Sequence, residues 1–186
     1  MPAMRPAAER LRASGDAVGA TARRRAPPCR TPLLAGQPRE FQVLQLILFR
    51  ERLRNAPPMP DLVQGTSDDQ FEDMATYFAG LDRVPPDEMN ARDKELVARG
   101  ETLSGQLRCG VCHLPDHSGR EHIPRLAGQR EEFLLRTMQE YRDNLRVGAD
   151  TSINAVVFGV PGADLAALAH FLAHAPCRYG PPYPEC

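Results

Sequence analysis

The residues with the most distinctive chemistry are Cys109-Gly110-Val111-Cys112-His113. Two thiols three positions apart, followed at once by an imidazole, form the C-x-x-C-H pattern of c-type haem attachment. The thiols add to two porphyrin vinyl groups, and the histidine becomes the proximal ligand of the iron. One helical turn presents both sulfurs to the same edge of the macrocycle and sets the imidazole under the metal. The same region permits other chemistry. Cys109 and Cys112 with His117 and His122 have the C-x2-C-x4-H-x4-H spacing of a compact tetrahedral zinc site, which would make the chain a zinc-stabilised binding module. A thioredoxin-like redox pair fits less well, because no βαβ pattern surrounds the cysteines.

An internal repeat supplies the elements that must position these groups. Residues 32–54 match residues 124–146 identically at ten of 23 positions, at an offset of 92. The shared residues include Leu34/Leu126, Gly36/Gly128, Gln37/Gln129, Phe41/Phe133 and Arg50/Arg142. Met59–Ala79 then aligns with Ile153–Ala173 at an offset of 94. Two copies point to two related small domains, not to a solenoid. Phe41, Leu44 and Leu48 recur at helical spacing, and Ser67 with Gln70 forms a capping-box signature before Phe71, Met74 and Tyr77. Helices are expected over about 130–145 and 162–174 in the second copy. A further one is expected over 87–105, with Asp87 as its cap. Arg83-Val84-Pro85-Pro86-Asp87 reads as a stiff linker. No segment alternates well enough for a sheet, so the predicted class is all-α.

The expected organisation has five parts. Residues 1–31 are a poorly ordered or misassigned segment, 32–82 an incomplete first domain, 83–88 a linker, 89–176 the domain with the C-x-x-C-H motif, and 177–186 a tail. Residues 1–31 contain seven arginines against two acidic residues, whereas the remainder has 16 basic and 22 acidic groups. The net charge of −1 supplies no long-range field for nucleic acid. No apolar stretch is long enough for a transmembrane segment, and none near the start has the form of a secretory signal. Cys177 and Cys186 bracket the tail and could form a disulfide or remain thiols; Cys29 is left over. His170 and His174, one turn apart, could bind a metal, but their repeat counterparts Thr76 and Gly80 point instead to an exposed helix face.

The runs A-R-G-E-T-L-S-G-Q-L-R-C-G-V-C-H (98–113), I-P-R-L-A-G-Q (123–129) and D-L-A-A-L-A-H-F-L-A (164–173) resemble a class I cytochrome c domain. The doubled architecture is similar to the two-domain, dihaem cytochrome c4 group. The resemblance implies thioether links at Cys109 and Cys112, iron ligation by His113, and a close crossing of Gly100 against Phe171. It implies an electron carrier, not an enzyme, which works in the periplasm with an oxidase, reductase or dehydrogenase, alone or in a larger complex. Three departures shape the expectation. The first copy has Ala17, Ala20 and Thr21 where the motif should stand, so one haem c per chain is expected. The distal methionine position holds Met59 in the first copy but Ile153 in the second, leaving His117, His122 and Met138 as candidates for the sixth ligand. Leu114 stands where the family often has glycine. An open iron site, suited to small ligands or peroxidase chemistry, is a further reading. Residues 1–31 occupy the place where the resemblance implies an export signal and a first C-x-x-C-H, which points to a wrongly placed start or reading frame, or to a degenerate first domain.

Overall fold

The computed structural model describes residues 31–86, 89–146 and 152–175. The first copy contributes α1 (Arg39–Arg50), α2 (Met59–Leu62) and α3 (Asp68–Ala79). The second contributes α4 (Lys94–Gln106), α5 (Cys109–His113), α6 (Glu131–Arg142), α7 (Ser152–Val157) and α8 (Gly162–Ala173). Among the described residues the only β feature is an isolated bridge between Arg120 and Ile123. The fold is all-α.

The repeat extends to individual bonds. Gly36 N–H donates to Phe78 O at 2.9 Å, and Gly128 N–H to Leu172 O at 3.0 Å. Arg50 pairs with Glu51 and reaches Thr66 O; Arg142 pairs with Asp143 and reaches Val160 O. Arg54 stacks over Phe49, as Arg146 does over Tyr141. These contacts follow the offsets of 92 and 94, so the sequence repeat specifies the same helix ends and loop returns twice.

Local capping sets where the helices begin. Ser67 accepts from Gln70 N–H while the Gln70 side chain accepts from Ser67 N–H, completing the expected capping box. The helix expected over 87–105 starts later, at Lys94. Asp93 caps it, accepting from Glu95 N–H at 2.8 Å and Leu96 N–H at 3.1 Å. Asp87 lies outside the described residues, as do Cys29, Cys177, Cys186 and most of residues 1–31. Residues 89–93 approach α4 as irregular chain, because the Asp93 carboxylate, not Asp87, meets the free amides of the first turn.

The larger core centres on α8, where Leu165, Leu168 and Leu172 pack with Leu134, Met138 and Val157. Phe49, Val63 and Phe71 form the smaller core of the first copy. In the second copy α4 crosses α8 at Gly100. A Cβ there would lie 2.2 Å from Ala167 O and 2.5 Å from Phe171 Cβ. The expected close crossing is therefore present. On α3 no described helix occupies the place of α4, so Tyr77 is 64% exposed and Met74 lies at the surface, whereas its counterpart Leu168 is 2% exposed.

Two glutamines tie the copies together. Gln37 donates to Arg125 O at 3.0 Å and accepts from Arg125 N–H at 2.9 Å. Gln129 donates to Leu33 O at 3.1 Å and accepts from Leu33 N–H at 2.7 Å. Both pairs follow the repeat, giving a pseudo-two-fold clasp. The buried Arg125 side chain adds bonds to Ala127 O and Ala35 O.

Gly100→Ala should force α4 away from α8 and cost about 1–3 kcal/mol, the usual range for overpacking. Urea denaturation of the two proteins checks this; an unchanged midpoint would contradict the close crossing.

Candidate haem site

Arg108 breaks the path from α4 to α5 by adopting a left-handed conformation, φ 56° and ψ 35°. The chain then turns into the single helical turn of α5, which carries Cys109, Cys112 and His113. Cys109 is half-buried against the α8 core, and Cys112 is exposed. Both are free thiols. Burial pushes the Cys109 thiol pKa up, partly offset by a hydrogen bond with Ser104.

His113 Nδ1 lies 2.8 Å from Pro124 O. A carbonyl can only accept, so this contact places the ring proton on Nδ1 and leaves the Nε2 lone pair for a metal. Burial pushes the His113 pKa down, which keeps the ring neutral; the Pro124 bond acts in the other direction. Two thiols and a neutral imidazole with a fixed tautomer on one helical turn suit covalent haem attachment and iron ligation. Pro124 belongs to the I-P-R-L-A-G-Q run, but its supporting role is not evident from the residue type.

The loop that carries Pro124 is held from both sides. His117, expected in a solvated loop or on iron, is instead buried, with 7% exposure. Its Nε2 lies 2.9 Å from Ser104 Oγ, its ring meets Phe171 edge-on at 5.6 Å, and its carbonyl accepts from Leu126 and Ala127 N–H. Gly119, at φ +73°, permits the tight return: a Cβ would lie 2.5 Å from Arg125 N. Leu114 directly follows α5 with φ 69° and ψ 158°, a region adopted almost exclusively by glycine.

The other candidates are dispersed. His122 is exposed. Met138 is buried in the α8 core, and Ile153 on α7 packs against that core. Cys109, Cys112, His117 and His122 are not gathered as a tetrahedral set. Among the described residues the potential ligand cluster of three or more is Glu131, His170 and His174. The expected exposed face for the last two requires correction, since His170 is only 2% exposed. It is covered by Asp93 and Glu131, two contacts between distant segments that helical periodicity does not report.

Two predictions arise from this geometry. Leu114→Gly should be more stable than Leu114→Ala by about 1 kcal/mol, the reverse of the usual helix order, because glycine relieves a backbone cost of order 1–3 kcal/mol. Thermal unfolding of the pair checks the sign. Burial also lowers the His117 pKa from its ordinary value of 6.5. Below about pH 6.5 the unfolded chain therefore takes up a proton that the folded chain resists. The His117 contribution is full above that pH and declines as pH falls toward the folded pKa. His117→Gln should flatten this part of the pH–stability curve in urea titrations.

No protein-family model matches the chain. Cytochrome c4 from Thiocapsa roseopersicina is 31% identical over 125 residues, covering 62% of this chain and 62% of that protein. The chain thus spans less than two thirds of that relative's length. A thiosulfate dehydrogenase electron acceptor from Thiomonas intermedia is 28% identical over 158 residues, covering 81% of this chain and 73% of that protein. The crystal structure of reduced recombinant cytochrome c4 from Pseudomonas stutzeri superimposes with a TM-score of 0.71 at 24% identity, covering 81% of this chain and 87% of that one. The chain is thus similar in sequence to proteins named cytochrome c4 and shares the all-α two-domain fold of the cytochrome c4 structure.

Proposed function

We propose that this chain is a periplasmic electron carrier with one covalent haem c per chain. Cys109 and Cys112 would be the attachment points and His113 the proximal ligand. The observation that carries this reading is the His113–Pro124 bond, which leaves Nε2 available beside two free thiols on the same turn. Bound haem supplies a one-electron iron couple. The protein's part is to hold His113 neutral and correctly turned, through Pro124, and to support the Pro124 loop through His117 and Ser104. The absence of a C-x-x-C-H motif in the first copy underlies the count of one. No helix among the described residues is long and apolar enough to cross a membrane, and the periplasmic assignment follows from the location of c-haem attachment. A dehydrogenase is the favoured class of redox partner, given the relative that is an electron acceptor for thiosulfate dehydrogenase.

A second reading concerns the distal side of the iron. Ile153 stands at the repeat position of Met59, and Met138 is enclosed by apolar neighbours. These positions favour an iron without a methionine ligand, lower in potential than a His/Met site and open to small ligands or peroxidase chemistry.

Pyridine haemochrome spectroscopy combined with intact mass tests the main reading. The expected result is a c-type spectrum and a covalent increment of one haem. Bound zinc with no haem would refute it. Carbon monoxide addition to the reduced protein should produce a new Soret band if the sixth site is open; a methionine–iron charge-transfer band would exclude that reading.

A further inference from the structure

Asn90, Glu131, His170 and His174 meet where the chain entering α4 crosses the start of α6 and the end of α8. The two imidazoles differ in how their hydrogen bonds are met. His170 Nε2 accepts from Asp93 N–H at 3.0 Å, so its proton resides on Nδ1, 3.1 Å from Glu131 Oε2. This ring is fully matched as a neutral imidazole. His174 is not: Nδ1 lies 2.8 Å from His170 O, and Nε2 lies 3.1 Å from Asn90 O. Both neighbours are carbonyl acceptors, and a neutral ring has one proton. With that proton directed to the helix carbonyl, the Nε2 lone pair faces the lone pairs of Asn90 O. A cation shared between them resolves the conflict.

Glu131 lies beside this pair. One ligand atom from each of Glu131, His170 and His174 falls within 4.8 Å of the others. Asn90, Glu131, Glu132 and His174 also line a small cavity at the same place. Asn90 Nδ2 and His170 Nδ1 both approach Glu131 Oε2, which orients the carboxylate. A histidine that donates Nδ1–H to a backbone carbonyl and presents Nε2 has the usual arrangement of a metal ligand. Bonds of about 2.1 Å to a common ion span an edge near the observed Asn90–His174 separation when the ligands are adjacent.

We propose that His174 Nε2, the Asn90 carbonyl and the Glu131 carboxylate form a binding site for a divalent transition-metal ion of the zinc, nickel or copper class, with His170 orienting Glu131. The imidazole, carboxylate and carbonyl set suits these borderline cations. The ion would fasten the irregular chain before α4 to the end of α8. This site shares no residue with the Cys109, Cys112 and His113 set.

Zn2+ titration by calorimetry at pH 7.5, on the full chain as purified with its cofactor, tests the proposal. A Cys109→Ser/Cys112→Ser chain run in parallel removes thiol binding and gives an answer even if no haem is attached. The expected result is one Zn2+ equivalent in both proteins, weakened at least tenfold by His174→Ala and by Glu131→Gln, and unaffected by His122→Ala. Zn2+ should also raise the melting temperature, and both site variants should abolish that rise while retaining native helical circular dichroism. Absence of Zn2+, Ni2+ or Cu2+ uptake at millimolar concentration would overturn the proposal and assign the shared cation as a proton. Uptake that persists unchanged in both folded variants would overturn it as well.

Discussion

The second copy depends on a backbone-to-backbone approach between α4 and α8 that only glycine permits. With no Cβ at position 100, α4 settles against Ala167 and Phe171. The rest of the site inherits that placement. Ser104, one turn later on α4, reaches His117; Phe171, on the opposing face, meets the same imidazole edge-on. The path from α4 through Arg108 then delivers α5 to the edge of the α8 core, where Cys109 packs. A displaced α4 would therefore move the thiols, His113 and the loop that orients it.

The histidines divide along this framework according to what their second nitrogen meets. His113 gives its Nδ1 proton to Pro124 and keeps Nε2 free. His117 is enclosed by Ser104 and Phe171 and carries the loop return. His170 links Asp93 to Glu131, joining the beginnings of α4 and α6 to α8. His174 faces two carbonyls across the same junction. One residue type thus supplies a prospective iron ligand, a buried strut and a connection between segments, with the difference set by neighbours distant in sequence.

The clasp between the copies shows how duplication can build an interface without new residue types. Gln37 and Gln129 each pair both ends of a carboxamide with one residue's backbone in the other copy. Such a bond pair satisfies buried amide and carbonyl groups that water would otherwise have to reach. The repeat is unequal elsewhere. At position 125 a buried arginine replaces the Leu33 counterpart and adds bonds to Ala35 and Ala127. On α3, Tyr77 and Met74 face outward where Phe171 and Leu168 are covered.

Features governed by local chemistry and periodicity could be read along the chain. The helical class, the doubled arrangement, the Ser67–Gln70 capping box and the C-x-x-C-H turn were all legible. Each depends on spacing along one helix or on a repeat visible in the chain. Tertiary structure alone decided the roles of Pro124, His117, His170 and Arg125. Each has a partner 11 to 90 positions away, which neither residue type nor helical phase discloses. The same reason explains the misplaced start of α4, where Asp93 caps the helix while its own amide is held by His170. Covalent motif and helix pattern are local properties of the chain, whereas tautomer, burial and hydrogen-bond partner are properties of the folded neighbourhood.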